Sequence, residues 1–201
     1  MNTILLDKKN IDDIVTDLDN NQVVAFPTET VFGLGIRLDS KKALDALFEL
    51  KRRDKNKAIT LMVRSIDEID RYAYVNDFSK KIINEFMPGK ITIILNKKDS
   101  VDDYFTAGKK TIGIRIPDDD FVLELLRKTG PLLVTSANLS GEASLLTAKD
   151  TYDAFKGKLS IVVNEDAKGS KASTVVDLTN EGVVILRVGE ITKEMIEGAI
   201  K

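Results

Sequence analysis

The 201-residue sequence contains no cysteine and no histidine. Without Cys there is no disulfide, no thiolate nucleophile and no thiolate metal site. Without His the commonest general base is gone, and with it the Ser-His-Asp triad and most transition-metal sites. Chemistry is left to carboxylates, Lys, Arg, hydroxyls, backbone groups or an oxygen-ligated metal such as Mg²⁺. No apolar run approaches the length that spans a bilayer, and residues 1–9 lack a signal peptide's apolar stretch, so a soluble cytoplasmic protein without membrane association is expected. Repeats, low-complexity tracts and Gly/Ser/Pro linkers are absent too, and a single domain over residues 1–201 is expected.

What is present fits a packed core. Hydrophobic residues make up 43% and charged residues 31%, which is not the signature of disorder. The net charge of −2 argues against a protein that lives on nucleic-acid phosphate, although a local basic site remains compatible with it. Short β-branched runs alternate with amphipathic stretches. Strands are expected near residues 23–26, 59–63, 91–95, 111–116, 132–135, 160–163, 174–178 and 183–188. Helices are expected over about 40–53, 78–86, 121–128 and 193–200, with a capping box at Ser65 and Glu68 and another helix start at Thr147 and Asp150. This mixture predicts an α/β fold with a twisted mixed sheet flanked by helices. Neither G-x-G-x-x-G nor Walker A occurs; the stretch Gly33-Leu34-Gly35 lacks the third Gly and the following helix, and its two glycines allow close backbone approach.

Three segments could carry chemistry. Pro27-Thr28-Glu29-Thr30 after a strand offers hydroxyls and backbone N–H groups to a polar ligand, or is a turn capped by Thr. Lys51-Arg52-Arg53-Asp54-Lys55-Asn56-Lys57 holds five cations in seven residues. It is either a solvated helix end that complements the macrodipole or a polyphosphate clamp. Thr135-Ser136-Ala137-Asn138-Leu139-Ser140-Gly141 follows an apolar strand, where open α/β sheets gather ligands; an Asx or ST turn is the alternative. Ser136 has no His to activate it and lacks the G-x-S-x-G setting. Arg115 and Arg187 each interrupt an apolar strand, so each is exposed on an edge or paired with an anion. Together these features point to a shared site for an anionic, nucleotide-like ligand.

The ordered series Pro27–Gly35, Lys51-x-Arg53, Pro88-Gly89, Arg115-Ile-Pro117, Thr135–Gly141, Ser173–Asp177 and Leu186–Gly189 resembles the YrdC/Sua5 family of threonylcarbamoyl-AMP synthases, from about residue 3 to 190. The resemblance implies a YrdC-like fold around a large concave positive cavity. It also implies synthesis of L-threonylcarbamoyl-AMP and pyrophosphate from L-threonine, bicarbonate and ATP with Mg²⁺, for N6-threonylcarbamoyladenosine at position 37 of tRNA. The product would pass to a tRNA threonylcarbamoyl transferase complex. By motif match, Lys51, Arg53, Thr111, Asn138 and Arg187 would contact ATP, with Lys51 and Arg53 offsetting phosphate charge in catalysis. Thr28, Arg115, Ser136 and Ser173 would hold threonine or its carbamate, with Arg115 on the carboxylate; Thr60 and Lys55 are further candidates. No metal ligands are implied. Asp54 and Ala58-Ile59 depart from the family's prolines, Phe32 from its frequent Tyr, and Ser144-Leu145-Leu146 from Ser-Pro-Thr. The alternative is a non-catalytic module of the same fold that binds double-stranded RNA or assists ribosome assembly. Weak RNA binding would be compatible with either.

Overall fold

The computed structural model describes residues 2–200. Along the chain run β1 (Ile4–Leu6), α1 (Ile11–Asp19), β2 (Val24–Phe26), β3 (Gly33–Arg37), α2 (Lys41–Lys51), β4 (Thr60–Met62) and α3 (Ile66–Ile69). There follow α4 (Asp77–Phe86), β5 (Ile91–Asn96), β6 (Thr111–Arg115), α5 (Asp120–Thr129) and β7 (Leu132–Ser136). The chain closes with α6 (Ala148–Phe155), β8 (Ile161–Val163), β9 (Thr174–Asp177), β10 (Val184–Arg187) and α7 (Lys193–Ala199).

Helix starts follow side-chain chemistry. Ser40, Asp119 and Thr147 accept backbone N–H groups at the first turns of α2, α5 and α6, and Asn76 with Ser79 forms a capping box on α4. The expected box at Ser65 does not form: Ser65 makes no cap bond, and Glu68 reaches past it to the Arg64 N–H at 2.8 Å. The stretch Gly33-Leu34-Gly35 opens strand β3. A Cβ on Gly35 would stand 2.5 Å from the Phe26 ring, so this glycine gives way to an aromatic side chain on the neighbouring strand.

All ten strands join one mixed sheet in the order β1-β8-β2-β3-β7-β4-β6-β5-β9-β10, with β8/β1, β8/β2, β4/β6 and β5/β9 parallel. Alternation along each strand sorts its side chains to two faces. One face carries Ala25, Leu34, Ile36, Leu61, Leu133, Ile112, Ile114, Ile91, Ile93 and Val176, packed under α2, α4, α6 and α7. The opposite face has two unlike halves. Over β8, β2 and β7, the residues Val24, Phe26, Val134, Ile161 and Val163 meet Ile14 and Leu18 of α1 and Val122, Leu125 and Leu126 of α5. Past Met62 on β4 this apolar cluster stops. The same face of β4, β6, β5 and β9 turns Thr60, Gly113, Arg115, Thr92 and Val175 into a cavity that no helical residue lines. Among the described residues no helix is long and apolar enough to cross a membrane.

Candidate active site

The cavity encloses about 250 Å³ over the helix-free half of the sheet. Its floor is Thr60, Met62, Thr92, Ile94, Gly113, Arg115 and Val175. Three segments wall it: Thr28 and residues 30–33 between β2 and the start of β3, Arg53 with Ala58 and Ile59 after α2, and Thr135–Ser136 at the end of β7. Ala172, Ser173 and Arg187 close the remaining side. Seven sequence candidates therefore converge here: Thr28, Arg53, Thr60, Arg115, Ser136, Ser173 and Arg187. Four do not line the cavity: Lys51, Lys55, Thr111 and Asn138.

Arg115 lies on the floor with its charge already met. Its Nη2 donates to Glu29 Oε1 at 2.6 Å, Nη1 to Thr30 Oγ1 at 3.0 Å and Nε to the Gly89 carbonyl at 3.2 Å. Both side chains of the ion pair are more than nine-tenths buried. Charge neutralisation of Arg115, expected from an anionic ligand, thus comes first from Glu29 within the chain. Three of its five N–H groups are used, and two remain for a ligand. Asp118 N–H also donates to Glu29 Oε1 at 2.8 Å, while Glu29 Oε2 is buried without a partner.

The hydroxyls form directed chains. Thr30 Oγ1 accepts from Arg115 and sits 2.9 Å from Thr28 Oγ1, which in turn donates to the Val31 carbonyl at 2.7 Å. Thr28 Oγ1 also accepts the N–H groups of Thr30 and Val31, at 3.1 and 3.2 Å, so its hydroxyl holds the turn together. The alternative of a Thr-capped turn describes this residue even though it borders the cavity. Ser173 Oγ sits 2.9 Å from Thr92 Oγ1 and accepts from Arg187 Nη2 at 3.1 Å, while its carbonyl accepts from Arg187 Nε at 2.9 Å. Ser136 Oγ donates to Asn138 Oδ1 at 2.7 Å.

Arg53 and Arg187 differ from Arg115: neither forms an ion pair with a carboxylate among the described residues. Arg53 follows Arg52, whose left-handed backbone (φ 50°) ends α2 and turns the chain toward the cavity. Its Nη2 donates to the Ala58 carbonyl at 2.9 Å and its Nε to the Lys57 carbonyl at 3.3 Å. Asp54 closes this loop by accepting the Asn56 N–H at 2.9 Å. Lys55 turns away and pairs with Asp45 at 2.7 Å.

Arg187 reaches the cavity through an irregularity. Val183, just before β10, and Ile185 on it lean on the main core, and strict alternation would send Arg187 to the same side. The β9/β10 register slips between Ile185 and Arg187, and this bulge turns the guanidinium to the cavity beside Ser173. Of the two alternatives for an arginine on an apolar strand, the edge placement holds for this strand. It is the sheet's edge, with Val184, Leu186 and Val188 exposed by 57, 58 and 75%. Desolvation lowers the pKa of both arginines; for Arg187 the positive charges of Arg115 and Arg53 lower it further. Three guanidiniums against one carboxylate leave the site positive, and an anion would relieve their repulsion.

Residues that sequence reading passed over include Glu29 as a counter-ion, and Thr92 and Gly113. A period of two through Arg115 would have found Gly113, and the same period through β5 would have found Thr92.

This is a mixed-sheet α/β protein whose uncovered sheet half forms a cationic, hydroxyl-lined cavity. Residues 16–189 match the Sua5/YciO/YrdC family, described as "Telomere recombination", and the chain belongs to that family. It is 37% identical to a putative threonylcarbamoyl-AMP synthase of Methanocaldococcus jannaschii over 92% of this chain and 87% of that protein. The threonylcarbamoyl-AMP synthase of Bacillus subtilis is 36% identical over 91% of this chain, which spans only 54% of that longer relative. P. abyssi Sua5 in complex with L-threonine superposes with a TM-score of 0.90 at 30% identity, covering 98% of this chain and 61% of that one.

Proposed function

We propose that the cavity is the active site of an L-threonylcarbamoyladenylate synthase, a nucleotidyltransferase that uses L-threonine, bicarbonate and ATP. The observation that carries this reading is the pair Arg53 and Arg187, which face one cavity without a carboxylate partner among the described residues. Relatives named threonylcarbamoyl-AMP synthase and a neighbour bound to L-threonine support the choice of substrates. The product, threonylcarbamoyl-AMP, would supply N6-threonylcarbamoylation of adenosine 37 in tRNA through a separate transferase complex in the cytoplasm.

The chemistry needs no protein nucleophile. Threonine's amine and bicarbonate give a carbamate and water; a carbamate oxygen attacks the α-phosphorus of ATP, and pyrophosphate leaves. Arg53 and Arg187 hold the phosphates and offset charge that builds on them. Arg115 uses its two remaining N–H groups on the amino acid's carboxylate, with Glu29 holding the guanidinium in place. Ser173 and Ser136 offer hydroxyls to the threonine side chain. Among the described residues no group of three acidic side chains could cage a metal, so Mg²⁺ here fits as an ion carried by the triphosphate rather than by the protein. Enclosure by these walls shields the carbamate and the mixed anhydride from water.

Mass spectrometry of the products formed from threonine, bicarbonate and ATP tests the reading. Threonylcarbamoyl-AMP and pyrophosphate should appear together and depend on threonine, with serine weaker and valine nearly inert. Turnover of valine equal to that of threonine would contradict it.

A further inference from the structure

Lys51 is among the largest fully buried side chains, only 1% exposed, and it does not line the cavity. Its ammonium is spent on the far side of the cavity wall. Nζ donates to the carbonyl of Ser136, to the carbonyl of Asn138 at 2.8 Å and to Asn138 Oδ1 at 2.9 Å. An ammonium has three N–H groups, and three oxygens take them. The Lys51 carbonyl in turn accepts the Ser140 N–H at 3.0 Å, so one residue grips the 136–140 turn at both ends.

The rest of the turn is built around that grip. Asn138 Oδ1 accepts from Lys51 and from Ser136 Oγ, while its Nδ2 donates to the carbonyls of Leu139 and Glu142 at 2.9 and 2.8 Å. Ala137 N–H donates to the Phe32 carbonyl at 2.7 Å, which ties the turn to the start of the neighbouring strand β3. Two residues beyond Lys51, Arg53 enters the cavity.

We infer that Lys51 is a positioning residue. It locks the Ser136–Ser140 turn to the end of α2, so that Ser136 and Arg53 face the ligand from fixed places, and it does not itself contact phosphate. The inference rests on the cavity's being the active site and deepens that reading. It has a consequence in pH. Only the ammonium can donate to all three oxygens; a neutral amine would turn a lone pair toward one of them. Burial, with Arg53 adding repulsion, pushes the Lys51 pKa down to about 8. Arg53 is the charged group that acts on it from its own side, and the turn faces it with the neutral oxygens of Ser136 and Asn138. The grip is therefore complete below about pH 8 and lost as pH rises through that value.

Two arms test this. In the first, the ¹⁵N-labelled full chain is titrated, and the amides of Ala137 to Ser140 are followed with and without ATP, saturation being judged at Ser173 and Arg187. These amides should share a midpoint near 8. That midpoint should move by less than about one pH unit with ATP and vanish in Lys51→Met. No transition at these amides, or a rise of about one unit or more with ATP, would place the ammonium on phosphate or outside the turn and overturn the inference. Should Lys51→Met not fold, the wild-type titrations alone decide. In the second arm, Lys51→Met should lower kcat about tenfold or more while the KM for ATP stays within about threefold. A raised KM for ATP at unchanged kcat would also overturn the positioning role. A wild-type chain that forms no product would defeat the proposed reaction, whereas the titration arm would still decide the role of Lys51.

Discussion

The two halves of one sheet face belong to the same sheet yet do opposite work. Over β2, β7 and β8 the face is apolar, and α1 and α5 close it with Ile14, Leu18, Val122, Leu125 and Leu126. Over β4, β5, β6 and β9 no helix supplies a cover, and the same alternating positions hold Thr60, Thr92, Gly113 and Arg115. The covered half gains stability from burial; the open half forgoes that gain and keeps polar groups available to a ligand. Glycine shows the contrast residue by residue. Gly35 in the covered half makes room for Phe26, whereas a Cβ on Gly113 would meet nothing closer than 3.5 Å. One glycine serves packing and the other serves empty space.

The largest effect should come from splitting the buried ion pair under the open half. Arg115→Met leaves the Glu29 carboxylate buried and unpaired, which should cost roughly 3–5 kcal/mol in chemical denaturation. This sign runs against the idea that removing a crowded arginine relieves repulsion, because Arg115 is the one arginine of the three with a carboxylate partner. Combining it with Glu29→Gln should recover part of the loss; a single variant as stable as the wild type would show the pair to be dispensable.

Next are the two cavity arginines without carboxylates. Arg53→Met and Arg187→Met should each lower product formation by about 10²–10³-fold, as loss of a charge-stabilising donor does. Their thermal stability should change little, since no buried carboxylate is orphaned. Unchanged product formation in both would dissolve the distinction between the halves. Smaller effects separate the glycines. Gly35→Ala drives a methyl group into the Phe26 ring and should destabilise by roughly 1–3 kcal/mol. Gly113→Ala should instead stabilise by about 0.4–1 kcal/mol through the unfolded chain, while intruding on the cavity and weakening turnover. A shared sign for the two glycines in denaturant melts would contradict the comparison.

Much of the fold was legible because alternation and capping are local. Strands at 91–95, 111–116 and 132–135, and the helix after Ser40, stand within a residue or two of where apolar periodicity puts them. Strand β3 is absent from the expected strands because its two glycines give no hydrophobic signal, and their reason lies in Phe26 and Val134 on other strands. The bulge that aims Arg187 shifts the phase of alternation, so the sequence period assigns that side chain to the wrong face. Lys51 at the end of α2 reads as a cation that complements the helix dipole; only the approach of β7 from 85 residues away makes it a buried anchor. Convergence of Arg53, Arg115 and Arg187 was legible as ordered motifs. Glu29 was not, since nothing local says that a carboxylate in a turn will neutralise an arginine on β6.

The central claim is that ligands occupy the helix-free half of the sheet face. Amide chemical-shift mapping of the labelled chain with ATP, L-threonine and bicarbonate reads this directly. Perturbations should cluster at Thr60, Thr92, Gly113, Arg115, Ser173 and Arg187, and leave Val24, Ile161 and the α1/α5 cover unmoved. Shifts centred on the α1/α5 side, or none at saturating ligand, would contradict it.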